Sequence, residues 1–158
     1  MAADSFEIRP AGDGDRRRLA LLFAAVAEER DGIAAEPPID VDARAEAWRV
    51  DGTLVAAARG EVVGFLHVER SGFGFGEIGM LVAREWRGRG VGSALVAAAI
   101  DWGHEHELHK LTLSVFPHNE AAIALYRKFG FEEEGYRRKQ MRRSSGELWD
   151  LIEMGLLL

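Results

Sequence analysis

The feature that most constrains the fold is a strand, a glycine-rich loop and a helix in direct succession. It spans residues 80–99 and contains Arg87-Gly-Arg-Gly-Val-Gly92-Ser. Glycines at such a junction let the backbone approach a ligand closely, because they carry no Cβ and accept left-handed φ values. A helix opening near Val91 aims its first-turn N–H groups and the positive end of its dipole at an anion. Arg84, Arg87 and Arg89 add mobile positive charge on the same side. The combination predicts a strand-to-helix crossover that holds a pyrophosphate at its turn.

The rest of the chain supplies a sheet around that unit. Residues 6–9 read as a short strand closed by Pro10. A turn at 11–15 precedes Leu19, Leu22, Phe23 and Val26, the buried stripe of a first helix running to about Arg30. An acidic, proline-containing loop (31–39) and a short second helix (41–49) follow. Residues 53–59 and 61–69 form an antiparallel hairpin around Gly60. A flexible connection at 71–76 leads to a strand at 77–83 and a polar loop at 84–90. Val91, Leu95, Ala98 and Trp102 mark the buried face of the third helix. A strand at 111–116 is stopped by Pro117. A fourth helix is lined by Ala122, Leu125, Tyr126 and Phe129 and capped at Gly130. Strands at 131–137 and 148–157, joined across 144–147, close the chain. The order β-α-α-β-β-β-α-β-α-β-β implies an α/β domain with a mixed sheet. With no repeat or internal boundary in 158 residues, residues 1–158 are expected to form one domain.

Spacing separates the anion sites that share this physics. A P-loop requires a Gly-Lys pair, and none occurs in the chain. A dinucleotide fingerprint requires a third glycine where Ser93 stands, directly after the strand. Arg87-x-x-Gly90-x-Gly92 instead resembles the Arg/Gln-x-x-Gly-x-Gly/Ala signature of the GNAT acetyltransferases. A second stretch, Leu113-Ser-Val-Phe-Pro-His-Asn119-Glu-Ala-Ala-Ile-Ala-Leu-Tyr126-Arg-Lys-Phe-Gly-Phe131, resembles that family's other signature, with Asn119 and Tyr126 seven residues apart. The likeness spans nearly the whole chain and is strongest over residues 76–135.

The resemblance implies a mostly antiparallel seven-stranded sheet flanked by four helices. It implies an N-acetyltransferase that uses acetyl-CoA as cosubstrate. Backbone groups of Met80, Leu81 and Val82 would pair with the pantetheine arm as an added strand does. The loop of Arg87, Gly88, Arg89, Gly90, Val91, Gly92 and Ser93 would hold the pyrophosphate. Asn119 would bond the pantetheine region, beside its plain role as N-cap of the fourth helix. Tyr126, otherwise a core tyrosine, would donate a proton to the departing thiolate. A backbone N–H of the fourth strand would steady the oxyanion. An attacking amine must be neutral, and an alkyl ammonium at pH 7 is not, so a base or a water relay is required. Glu77, opening the fourth strand, resembles the base of some members, although one residue of slip would turn it to the other face. Ser114 stands where some protein-acetylating relatives carry glutamate.

Composition narrows the partners. The absence of cysteine excludes disulfides, thiolate metal sites and a cysteine nucleophile. A formal charge of -6 argues against nucleic acid as a partner. No apolar run reaches the roughly 20 residues of a membrane helix. The opening Met-Ala-Ala-Asp-Ser-Phe-Glu has no signal-peptide character, so a cytoplasmic location without membrane contact is expected. No metal is expected either. His104, Glu105, His106, Glu107 and His109 miss the His-Glu-x-x-His spacing by one residue and read as the polar end of the third helix. Arg137-Arg-Lys-Gln-Met-Arg-Arg143 reads as a solvated loop. The resemblance puts it, with Glu28, Glu29, Asp31 and Glu36, at the border of the acceptor site, where opposite walls suit an amino-acid-like amine. A small-molecule amine acceptor such as an amino acid or polyamine is the leading expectation, with room for a homodimer. A protein N-acetyltransferase and a catalytically idle acetyl-CoA-binding module are the alternatives.

Overall fold

The computed structural model describes residues 5–158; the reading of the N-terminus as free of a leader rests partly on residues 1–4, outside that range. Seven strands and four helices follow the expected order: β1 (Glu7–Pro10), α1 (Arg16–Ala27), α2 (Val41–Ala47), β2 (Thr53–Ala58), β3 (Glu61–Arg70), β4 (Phe75–Val82), α3 (Val91–Glu105), β5 (Lys110–Val115), α4 (Glu120–Lys128), β6 (Glu132–Arg142) and β7 (Leu148–Leu157). The strands form one sheet in the order β1-β2-β3-β4-β5-β7-β6. The β4–β5 pair is parallel, while β1–β2, β2–β3, β5–β7 and β6–β7 are antiparallel.

Contacts group the chain into two compact units. One runs through Val68 and includes Met80–Ala99; the other comprises Glu69–Gly79 and Ile100–Leu158. In the first, Leu19, Val55, Leu66, Val91, Leu95 and Val96 are almost fully buried. Gly64 lets α3 settle onto the strands: a Cβ there would meet Val91 Cγ1 at 3.1 Å and the Leu81 carbonyl oxygen at 3.2 Å. That close approach fixes the start of α3 beside the end of β4. In the second unit, Leu111, Leu113, Ile123, Tyr126, Phe131 and Met154 are buried.

Several boundaries differ from the sequence reading, each for a tertiary reason. Helix α1 ends at Ala27, the chain tightens through bonds from Glu29 to Val26 and Arg30 to Ala27, and Arg30 is left-handed, with φ +54°. Residues 75 and 76, expected in a flexible connection, belong to β4, where Phe75, Gly76 and Glu77 pair with Lys110, Leu111 and Thr112. Glu77 is therefore the third residue of its strand rather than the first. On α3 the buried face is Val91, Leu95, Val96 and Ala99, while Ala98 and Trp102 are half-buried. On α4, Ile123 joins Tyr126 in the core, and Ala122, Leu125 and Phe129 are half-buried. The basic run expected as a loop is the second half of β6 through Arg142, with a register shift between Arg137 and Met141. Cross-strand pairing with β7 overrides the low strand propensity of consecutive charges.

Candidate active site

The glycine-rich loop lies wholly within the first unit. After β4, Ala83 donates its N–H to the Val63 carbonyl at 2.8 Å, and Arg84–Trp86 form one 3-10 turn. Trp86 is buried there, edge-on to Phe6, and the Arg89 guanidinium lies 5.0 Å from the centre of its ring. Gly88 and Gly90 have φ values of +75° and +86°. A Cβ at either would meet nothing within 4 Å, so the backbone conformation itself demands glycine. The first helical bond of α3 runs from the Ala94 N–H to the Gly90 carbonyl at 3.0 Å. The first-turn N–H groups of an α-helix have no acceptor within it, and here that turn directly follows the two glycines. Leu81 and Val91 are buried in the core, while Met80 and Val82 are half-buried.

Arg87 corrects the sequence reading. Its guanidinium is not mobile charge: Nη1 and Nη2 donate to Glu29 Oε1 and Oε2 at 2.7 and 2.8 Å, and Nε donates to the Val82 carbonyl at 3.0 Å. The hydrogen bonds from Arg87 hold the Glu29 carboxyl below its ordinary pKa, against a partial desolvation that would raise it. Glu29 and its neighbour Glu28 line an open cleft of about 390 Å³ together with Leu22, Val26, Arg84 and Glu85.

The second unit carries the other candidates. Asn119 caps α4, its Oδ1 accepting the Ala122 N–H at 3.3 Å. Tyr126 lies two turns on, 6% exposed, with its ring 5.6 Å from that of Phe131. Burial pushes its phenol up to about 12. No described residue hydrogen-bonds the hydroxyl, yet no buried polar side-chain atom among the described residues lacks a partner. Glu77 is exposed on β4, at the end of the three-residue ladder with β5. Buried positions along β4 are Gly76, Ile78 and then Leu81, so the alternation slips by one near Gly79 and Met80. That slip separates the face of Glu77 from the simple count of twos.

Residues 21–131 match the Acetyltransferase (GNAT) family. The chain belongs to that family. This GNAT acyltransferase is 36% identical over 108 residues to the L-amino acid N-acetyltransferase AaaT of Escherichia coli, a match covering 64% of this chain and 65% of that protein. It is 31% identical to the L-methionine sulfoximine/L-methionine sulfone acetyltransferase of Pseudomonas paraeruginosa, across 98% of this chain and 95% of the relative. Among solved structures, a ribosomal-protein-alanine N-acetyltransferase from Brucella melitensis superposes with TM-score 0.85 at 31% identity, covering 96% of this chain and 99% of that one. The acetyl-CoA complex of yncA from Salmonella typhimurium superposes at 0.84 with 24% identity, covering 97% and 94%.

In this GNAT fold several of the charged residues assigned to an acceptor border are engaged internally. Glu29 is taken by Arg87, Glu36 lies 3.7 Å from Arg30, and Arg137 is paired with Glu153 at 2.9 Å. Arg143, the last residue of the basic run, is 4% exposed, its guanidinium 4.2 Å from the Trp149 ring centre. Trp149 also packs edge-on to Phe116 and His118. The charge run gave no sign of that burial, since an arginine buried among aromatic rings reads like a solvated one. His106 stacks on Trp102 at 3.7 Å, past the end of α3, and among the described residues no group of three or more His, Asp or Glu is placed to hold a metal. No helix among them is long and apolar enough to cross a membrane.

Proposed function

We propose that this GNAT enzyme moves the acetyl group of acetyl-CoA to a primary amine of a small molecule, an amino acid or polyamine, by direct attack. The observation that carries the acceptor class is the near full-length likeness to the Pseudomonas paraeruginosa enzyme named for an amino-acid-derived amine. The E. coli relatives named for L-amino acids and for spermidine point the same way. Acetyl-CoA as cosubstrate is supported by the glycine turn, by the signatures around it and by the acetyl-CoA complex of the yncA protein.

In this reading the residues divide the work as follows. Met80, Leu81 and Val82 offer backbone groups to the pantetheine arm, while Gly88, Arg89, Gly90 and the first turn of Val91, Gly92 and Ser93 offer N–H groups to the pyrophosphate. Asn119 orients the arm with the part of its amide that capping α4 leaves over. The acceptor nitrogen bonds to the thioester carbonyl carbon, the C–S bond breaks, and an amide and a thiolate result, the thiolate then taking its proton from solvent. Glu77, or water beside it, takes the proton that the amine gives up. Tyr126 donates to sulfur. Its pKa of about 12 keeps it protonated at every working pH. A phenol that weak does not simply surrender its proton to a thiolate of about 8.5. Its contribution is a hydrogen bond that strengthens as charge grows on the leaving sulfur.

A protein N-terminus as acceptor is the second reading, favoured by the 31% identity to the Brucella melitensis enzyme. Following free thiol release from acetyl-CoA with amino acids, methionine sulfone, spermidine and an alanine-initiated peptide decides between them. Turnover of the peptide alone would overturn the small-molecule reading, and no turnover with any amine would overturn both.

A further inference from the structure

We infer that Arg87 is a brace rather than a phosphate ligand, and that Glu29 is a positioning residue setting the shape of the acetyl-CoA loop. The inference rests on the proposed acetyl-CoA site. Its ground is how the guanidinium is engaged, with three of its five N–H donors on fixed acceptors. Arg87 stands one residue before Gly88, yet its side chain turns back along the strand and down to the end of α1. Three donors are spent on fixed acceptors: Nε on the carbonyl of Val82, and both Nη atoms on the two carboxylate oxygens of Glu29. The paired arrangement is the strong fork-to-fork geometry that guanidinium and carboxylate favour. The two residues are 58 positions apart, and the Glu29 side chain is only 23% exposed, so the pair is not a chance meeting of two solvated arms.

The elements joined explain what the brace does. Val82 ends β4, Arg87 follows the 3-10 turn, and Glu29 lies just beyond α1. Gly88 and Gly90 hold left-handed conformations without a steric neighbour at the Cβ position. Such a turn is conformationally free and needs an external tie to select one shape. Trp86 and the Arg87–Glu29 pair both tie the chain entering the turn, one by packing and the other by charge-assisted bonds, and Arg89 lies over the Trp86 ring. For Arg87 to turn its bonded edges to a pyrophosphate it would have to abandon both Glu29 bonds and release the Val82 carbonyl. A mobile arginine would gain by that exchange; one held three ways keeps the loop open with its N–H groups forward. Glu29 also lines the cleft beside Arg84 and Glu85, so the brace links that cleft to the cosubstrate loop.

The two roles give opposite signs for the same change. If Arg87 were a phosphate ligand restrained by Glu29, Glu29→Ala would free it and tighten acetyl-CoA. As a brace, its loss weakens acetyl-CoA about 3- to 10-fold, a modest range because the pair is partly exposed. Calorimetric titration of acetyl-CoA into the full-length protein reads this directly, with thermal melts as a check on folding. The exchanged pair, Glu29→Arg with Arg87→Glu, keeps the ion pair, gives up the bond to the Val82 carbonyl and puts an anion beside the loop. It is expected to bind at least about 3-fold better than Arg87→Glu alone, which binds at least about 10-fold worse than the unmodified protein. Unchanged or tighter binding by Glu29→Ala, or failure of the exchanged pair to recover in a protein that melts normally, overturns the brace. Absence of acetyl-CoA binding by the unmodified protein in the same titration overturns the proposed site itself.

Discussion

Replacing Tyr126 by phenylalanine tests the chemical role of α4 with little disturbance of its packing. The ring is 6% exposed and meets Phe131 edge-on at 5.6 Å, and phenylalanine keeps both. The hydroxyl bonds no described residue, so its removal breaks no internal hydrogen bond. It also spares the desolvation that lifts the phenol to about 12. Stability should therefore change by less than about 0.5 kcal/mol in either direction. Catalysis should respond quite differently. Losing a donor at the leaving atom costs roughly 10²-fold in turnover, or about 2.7 kcal/mol of barrier at 1.36 kcal/mol per tenfold. Because the phenol does not titrate below about 12, the alkaline limb of the rate–pH profile should keep its position in the variant. The assay is thiol release at saturating acetyl-CoA with whichever amine of the panel is turned over, beside calorimetry for acetyl-CoA affinity. A variant turning over at the original rate would refute the donor role and leave Tyr126 a core residue with a polar tip. A variant that loses acetyl-CoA affinity as severely as turnover would show that the hydroxyl binds rather than catalyses.

Gly90→Ala should weaken acetyl-CoA by about 5- to 30-fold in calorimetry, since a φ of +86° costs an L-residue about 1–2 kcal/mol and 1.4 kcal/mol is tenfold. The loss should be graded rather than complete because the new Cβ meets nothing within 4 Å. Asp15, 5% exposed, is held below its ordinary pKa chiefly by two hydrogen bonds from Arg9 and further by the Gly12 N–H. Its depressed value means that this stabilisation is present above the unfolded-state value near 3.8 and is lost as pH falls through the folded one. Asp15→Asn should cost about 1–3 kcal/mol at pH 7 and flatten the acid limb of stability below about pH 4 in denaturant titrations. Glu77→Gln should lower turnover near pH 7 by about 10-fold or more, with acetyl-CoA affinity unchanged in calorimetry. Unaltered turnover would leave water as the base.

Local sequence determined the parts of this protein that local physics governs. The order of strands and helices followed from hydrophobic period and from turn residues, because a strand or helix must present its apolar positions to one face wherever it is packed. The turn at Gly88 and Gly90 followed from glycine spacing, and the N-cap at Asn119 from a side chain that reaches only three residues ahead. The strand β7, Leu148–Leu157, stood out for the same reason. What the tertiary structure decided were choices among distant partners. Two more residues join the start of β4 because Lys110, Leu111 and Thr112 run alongside it. The basic run becomes strand because β7 pairs with it. Arg87, which reads by its neighbours as a phosphate ligand, is claimed by Glu29 58 residues away, and Arg143 is drawn from apparent solvent onto Trp149. Periodicity and φ preference are properties of a few consecutive residues. The partner of a charge is a property of everything within reach of it in space, and a guanidinium has the same sequence signature whether it is solvated, stacked or paired.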